Sequence, residues 1–135
     1  MALKISLRPH ERIVIAGAVI ANGEKRAELL IENQVPILRE KDLLREGEAD
    51  TPCKRIYYVV QLMYFDEENL KNHHENYWGL VKDVLVAAPS MTNYVDRISE
   101  CLIGNRYYQA LRIAREMIEY EREVLNRVTE SNECL

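Results

Sequence analysis

Thr51-Pro52-Cys53-Lys54-Arg55-Ile56-Tyr57-Tyr58-Val59-Val60-Gln61-Leu62-Met63-Tyr64-Phe65 is the stretch that decides the fold. Thr51 offers a side-chain cap, and Pro52 suits the first helical position, where its missing N–H is not needed. From Ile56 to Phe65 only Gln61 is polar. Ile56, Val59, Val60, Met63 and Tyr64 share one helical stripe, while Tyr57, Leu62 and Phe65 cover much of the remainder. A helix apolar nearly all round is central to its module. Its β-branched and aromatic content keeps a buried strand as the alternative. The stretch also marks a boundary. All eight tyrosines, Phe65 and Trp78 fall between Tyr57 and Tyr120, and nothing before Tyr57 is aromatic. Two cores of different chemistry are expected.

Upstream, Leu3-Lys4-Ile5-Ser6-Leu7-Arg8 alternates apolar and polar, the period of a half-buried strand. Pro9-His10-Glu11 breaks it. Arg12 to Ile20 is Val/Ile-rich but interrupted by Gly17, which predicts two short strands with a bend or bulge. Asn22-Gly23 predicts a tight hairpin turn. Ala27–Glu32 and Val35–Arg39 follow as strands, the last at an edge because of Pro36. If the first and last strands are neighbours, Lys4, Arg8 and Arg39 lie together. The result is a small antiparallel module over residues 1–45 with a thin aliphatic core. So thin a core must bury its apolar face against the helices or a second copy of itself.

Downstream, Glu40–Glu48 reads as a charged link with a short helical turn. A helix is expected from about Glu67 to Ala88, with Leu70, Tyr77, Trp78, Val81, Val84, Leu85 and Ala88 inward. A third begins after Ser90, carries Met91, Tyr94, Val95, Ile98, Cys101 and Leu102, and closes at Gly104-Asn105 through a left-handed cap. A fourth covers about Arg106 to Val128, with Tyr107, Leu111, Ala114, Ile118, Leu125 and Val128 inward. The fold class is therefore α+β: an N-terminal antiparallel sheet and a C-terminal bundle of about four helices. The helical module spans 46–128, packs on the sheet as one compact unit, and leaves a flexible tail at 129–135.

Composition narrows the chemistry. The 135 residues hold 18 Lys+Arg against 22 Asp+Glu, a net charge of −4, with 47% apolar and 30% charged side chains. Those are values of a globular chain, not a disordered one. No apolar run reaches the roughly 18–20 residues of a membrane helix, and the N-terminus lacks the basic and apolar regions of a signal peptide, so a cytoplasmic location is expected. Cys53, Cys101 and Cys134 are too scattered for a disulfide framework or a CxxC metal site. His73-His74-Glu75 suggests a metal, but adjacent helical side chains diverge by about 100°; a structural role for His74 is preferred. There is no GxSxG, P-loop or dinucleotide fingerprint. No cofactor is implied, and the chain reads as a protein without an active site.

Binding surfaces remain. The first is a basic strip on the β module: Lys4, Arg8, Arg12, Lys25, Arg26, Arg39 and Lys41. It would meet RNA phosphates against an acidic background, although, taken alone, solubilising edge charge accounts for it better. With no aromatic in the module, base stacking by the sheet is excluded. The second is the helical segment Gly104–Ala114, whose Tyr, Ala110 and Ala114 spacing suits close helix docking. The third is the tyrosine excess, which suits groove rims and interfaces. Tyr58, Tyr108, Arg112 and Arg115 are the candidate partner-binding residues.

Three longer stretches carry a resemblance: Glu11–Gly23 (ERIVIAGAVIANG), Leu38–Leu44 (LREKDLL) and Glu48–Tyr64 (EADTPCKRIYYVVQLMY). They are similar to the FlbT family, flagellum biosynthesis regulators of alphaproteobacteria, and Gly104–Ala114 fits as well. The resemblance implies a post-transcriptional regulator that associates with the 5′ untranslated region of flagellin mRNA and promotes its decay, with links to FlaF and to flagellin. Departures are mild: the family pattern leads one to expect glycine at His10, a residue other than alanine at Ala16, and a small residue at Cys53. More faintly, short strands ending in Leu38-Arg39-Glu40-Lys41-Asp42 resemble the CsrA translational repressors. By that analogy RNA would sit on the sheet, and the β module would form a homodimer. The competing reading is a helical adaptor or chaperone-like partner of flagellin or FlaF, acting on the mRNA indirectly.

Overall fold

The computed structural model describes the backbone of residues 2–133 and side chains through Val128. It is α+β: five short strands followed by four α-helices. The chain divides into two compact units, Met1–Leu43 and Leu44–Leu135.

The first unit holds β1 (Leu3–Leu7), β2 (Arg12–Ile15), β3 (Ala18–Ala21), β4 (Ala27–Ile31) and β5 (Ile37–Arg39). They form two antiparallel sheets: a two-stranded β1-β4 and a three-stranded β3-β2-β5. The expected neighbourhood of first and last strands is corrected here, since β1 pairs with β4 and β5 with β2. Alternation explains the core. Ile5, Leu7 and Ile13 are buried, and Ile15, Leu29, Ile31 and Ile37 pack around them. One face each of β1, β2, β4 and β5 supplies an all-aliphatic interior, to which β3 adds no buried residue.

The tight hairpin falls at Ala16-Gly17, not at Asn22-Gly23. Ile15 pairs with Ala18 across a two-residue loop. Both loop residues have positive φ, +50° at Ala16 and +87° at Gly17. That is the type I′ combination, whose twist matches the strands it joins. Asn22-Gly23 instead begins the crossing from β3 to β4, strands in different sheets, and the Asn22 side chain is spent on other backbone groups.

In the second unit, α1 (Pro52–Phe65) begins as expected, with Thr51 Oγ1 accepting the Lys54 N–H at 3.3 Å. It is helix, not strand, and buries Ile56, Tyr57, Val59, Val60 and Met63. The helices α2 (Leu70–Ala87), α3 (Thr92–Ile103) and α4 (Tyr107–Glu133) follow. Helix α1 packs against both α2 and α4, and α3 packs on α4. Fully buried Ala110 and Ala114 lie one turn apart on α4, and small side chains there permit close approach of its neighbours. Single 3₁₀ turns at Glu40–Asp42, Glu46–Glu48, Glu67–Asn69 and Pro89–Met91 make the links.

The end of α3 is a Schellman motif. The Asn105 N–H bonds Leu102 O at 3.2 Å, and the Arg106 N–H bonds Cys101 O at 2.8 Å. Asn105, rather than Gly104, takes the left-handed conformation, at φ +57°.

Three side chains expected inward are exposed: Trp78, Leu125 and Val128. Tyr77 occupies the interior position on α2, and Trp78 stands about 100° further round the helix, its ring edge-on to Tyr77 at 5.1 Å. On α4 the inward line runs instead through Met117 and Glu121. The flexible tail expected at 129–135, and Cys134 with it, lies outside the residues whose side chains are described; the α4 backbone is helical through Glu133. Among the described residues, no helix is long and apolar enough to cross a membrane.

Candidate nucleic-acid interface

The β module is organised at one end by Asn22. Its Nδ2 donates to Arg8 O at 2.8 Å and Lys25 O at 2.9 Å, with a longer 3.4 Å approach to Leu7 O. Its Oδ1 accepts the Gly23 N–H at 2.9 Å. The Asn22 N–H bonds Glu11 O, and the His10 N–H bonds Gly23 O, each at 2.9 Å. One amide thus ties the β1–β2 loop to the β3–β4 crossing. Arg8 and Lys25 belong to the tied segments, Arg26 follows, and Arg12 pairs with Ala21 beside the hub.

These four cations are exposed. Arg26 Nε donates to Ser6 Oγ at 3.2 Å, which directs the guanidinium across β1. Among the described residues, Arg12 and Lys25 have no ion-pair partner. Exposed cations without an ion-pair partner can pair with an anionic ligand such as a phosphate group.

The other three candidates are placed differently. Arg39 Nη1 is held at 3.2 Å from both Ser6 O and Glu11 Oε2. It therefore does meet β1, through the carbonyl of Ser6 and not through strand pairing. Glu11 is fixed in turn: the Arg8 backbone N–H, and then Arg39 against some desolvation, hold its carboxyl below the usual range. Arg39 is thereby a structural tie. Lys4 pairs with Glu28 across β1 and β4 at 3.4 Å. Lys41 lies in the 3₁₀ turn after β5 and is already engaged.

Asn22 is the residue that sequence reading missed as an organiser. The signal was the amide itself, which presents two donors and an acceptor from a single short side chain. His10 lies in the same tied loop with φ +63°, a conformation glycine adopts without penalty. That is the position at which the family pattern leads one to expect glycine.

On the helical unit the partner candidates separate. Tyr58 is half-buried on α1. Tyr108, 47% exposed, stands on α4 with its ring 6.3 Å from Tyr64. Arg112 and Arg115 follow it at helical spacing and are exposed, and Arg115 already has an interaction partner. Trp78, Val86 and Ile103 add exposed apolar side chains. The histidine with a structural partner is His73, not His74: His73 Nε2 lies 3.1 Å from Asp66 Oδ2. Asn69, and then His73, hold the Asp66 carboxyl low. Among the described residues, no group of three His, Cys, Asp or Glu side chains is arranged to hold a metal.

Fold and surface together define a small α+β protein whose distinctive feature is a basic loop cluster on an aromatic-free β module. A family model described as Flagellar protein FlbT matches residues 3–125. The chain belongs to the FlbT family. It is 42% identical over 125 residues to a Bradyrhizobium diazoefficiens protein called probable flagellum biosynthesis repressor protein FlbT 1, covering 92% of this chain and 85% of the relative. It is 36% identical over 131 residues to a Caulobacter vibrioides protein called flagellum biosynthesis repressor protein FlbT, covering 96% of this chain and 93% of that one. No solved structure matches the chain.

Proposed function

We propose that the chain represses flagellum biosynthesis after transcription, by binding the 5′ untranslated region of flagellin mRNA and promoting its decay without catalytic chemistry of its own. Family membership supports the flagellar role, and the relatives' names support repression. The observation that carries the RNA reading is the Asn22 hub, which gathers the backbone segments bearing Arg8, Arg12, Lys25 and Arg26 to one end of the module. Clustering matters because the net charge is −4, so bulk attraction to nucleic acid is absent and only a local cluster can supply it. Decay would follow from blocked translation or a recruited nuclease.

The test is a gel-shift titration of the flagellin leader across a salt series. Changing Arg8, Arg12, Lys25 and Arg26 together to glutamine weakens binding. It also lowers the salt slope by about 0.7 for each phosphate of single-stranded RNA that is no longer neutralised. Arg112→Gln, the same change on the helical unit, leaves both unaltered. Equal affinity of the quadruple variant and the parent chain rejects the β-module site.

The exposed Trp78, Val86, Ile103 and Tyr108 side chains favour a second reading, a helical adaptor for flagellin or FlaF whose effect on mRNA is indirect. A pull-down with purified flagellin or FlaF in the presence of leader RNA separates the two. Tight protein binding that is abolished in Tyr108→Ala, with RNA held only at low salt, selects the adaptor.

A further inference from the structure

Strand β3 (Ala18-Val19-Ile20-Ala21) is exposed at every residue and stands at the edge of the three-stranded sheet. Unpaired edges template the addition of another strand, and proteins guard them with charge or proline. The other edges here are guarded. Proline precedes β5 and Arg39 ends it; β1 carries Lys4 and runs into Arg8; β4 carries Glu28 and is followed by Glu32. Only β3, among the described edges, has neither a charge nor a proline. Val19, 68% exposed, projects from it.

We propose that β3 pairs antiparallel with β3 of a second copy, joining the two three-stranded sheets into one. The hydrogen-bonding phase selects the register. Asn22 donates its N–H to Glu11 O, so by alternation Ile20 and Ala18 face β2. The N–H and C=O of Val19 and Ala21 therefore point away from the sheet. Groups pointing outward must meet groups pointing outward. The register that uses both residues sets Val19 against the second copy's Ala21, and Ala21 against its Val19. The two-fold axis then passes at Ile20, which faces its own counterpart as a non-hydrogen-bonded pair.

Electrostatics fit a self-association. No charge lies within the paired segment, and Glu24, the first beyond it, falls opposite Ala16 of the second copy. Large also meets small, since each Val19 lies over an Ala21. An uncharged strand suits this uncharged edge, and β3 of a second copy is such a strand. So short an edge buries less than the roughly 1,200–2,000 Å² of a standard interface, so the dimer is weak and depends on concentration. This pairing stands independently of RNA binding.

Sedimentation of the full chain from low micromolar to several hundred micromolar tests it. The expected result is a rise from the 15.8 kDa chain mass toward twice that value. Ala21→Pro removes an N–H that β2 does not use, as an edge strand tolerates, and should hold the chain at monomer mass; Val19→Lys should do the same. Under oxidation in a Cys134→Ser background, Ile20→Cys should crosslink to itself well ahead of Val19→Cys, because only position 20 meets its own copy at disulfide distance. A chain that stays monomeric throughout overturns the proposal, even if Val19→Lys weakens capture of flagellin or FlaF, since the edge then serves another protein. Dimers that persist in Ala21→Pro, or equal crosslinking at positions 19 and 20, overturn it as well.

Discussion

The Glu121 carboxylate accepts the hydroxyl of Thr51, seventy residues earlier, at 2.5 Å, and its second oxygen accepts the Cys53 N–H at 3.1 Å. Thr51 is the N-cap of α1, and its own Oγ1 receives the Lys54 N–H. A carboxylate from α4 thus completes the cap of α1, where orphan N–H groups and the helix dipole favour negative charge. Beside it, burial and then Glu121 itself push the Cys53 thiol up, which keeps that cysteine protonated and unreactive.

Removing this carboxylate should be among the more damaging single changes in the helical unit. Glu121→Ala strands the buried Cys53 N–H and takes the acceptor from the half-buried Thr51 hydroxyl, and a loss of about 2–4 kcal/mol is expected. Glu121→Gln keeps the shape and one acceptor and should lose less. Urea unfolding followed by far-UV circular dichroism measures both.

Gln61 is the polar residue in the apolar run of α1, and it is buried. Its Nε2 donates to Leu44 O at 2.8 Å, and its Oε1 accepts the Leu44 N–H at 2.9 Å. The amide thus stands in for a neighbouring strand. Gln61→Leu, although apolar and of similar size, should destabilise by about 2–3 kcal/mol because two backbone groups lose their partner. A lower denaturant midpoint at unchanged slope is the expected readout.

Two non-glycine residues of the β module sit in the left-handed region, His10 at +63° and Ala16 at +50°. A side chain there costs about 1–2 kcal/mol. Ala16→Asn, at the first central position of a type I′ turn, should stabilise by about 0.5–1 kcal/mol. His10→Gly should gain less, since glycine also loosens the unfolded chain. Thermal melts should rise for both; a fall for Ala16→Asn contradicts the turn assignment.

Acid should weaken the fold through identified carboxylates. Glu11 and Asp66 both sit below their ordinary values of 4.5 and 3.8 in the folded chain. The unfolded state therefore binds the protons more readily. The stabilisation each gives is complete above the ordinary value and fades as pH falls through the lower folded one. Glu11→Gln and Asp66→Asn should flatten the acid limb of a stability-against-pH curve, each in its own unit. Both variants should be less stable than the parent at neutral pH, and the gap should close on acidification.

Much of the fold was legible along the chain because the signals were local. The alternation from Leu3 to Leu7, the Thr51-Pro52 start, the Met91 to Leu102 stripe and the Gly104-Asn105 stop each involve neighbours within a turn or a strand. Asn22-Gly23 misled because asparagine's turn preference and its capacity to bridge distant carbonyls are the same chemistry, and sequence does not say which carbonyls come near. Trp78, Leu125 and Val128 misled because hydrophobicity alone does not tell an inward position from an exposed one. The seven-residue basic strip was visible as composition. Its division into exposed cations (Arg8, Arg12, Lys25, Arg26) and a structural tie (Arg39) was not.

The sequence by itself determined an aliphatic β module before Tyr57 and a tyrosine-bearing helical unit after it, because periodicity and residue chemistry are properties of the chain. Family membership also rests on sequence alone. Tertiary structure alone decided that β1 pairs with β4, that Glu121 caps a helix seventy residues away, and that Asn22 gathers the basic loops. It also decided that β3 is left as an unguarded edge. Each of these depends on which hydrogen-bonding groups find partners across long loops, and closure entropy makes that choice a property of the whole fold rather than of any local segment.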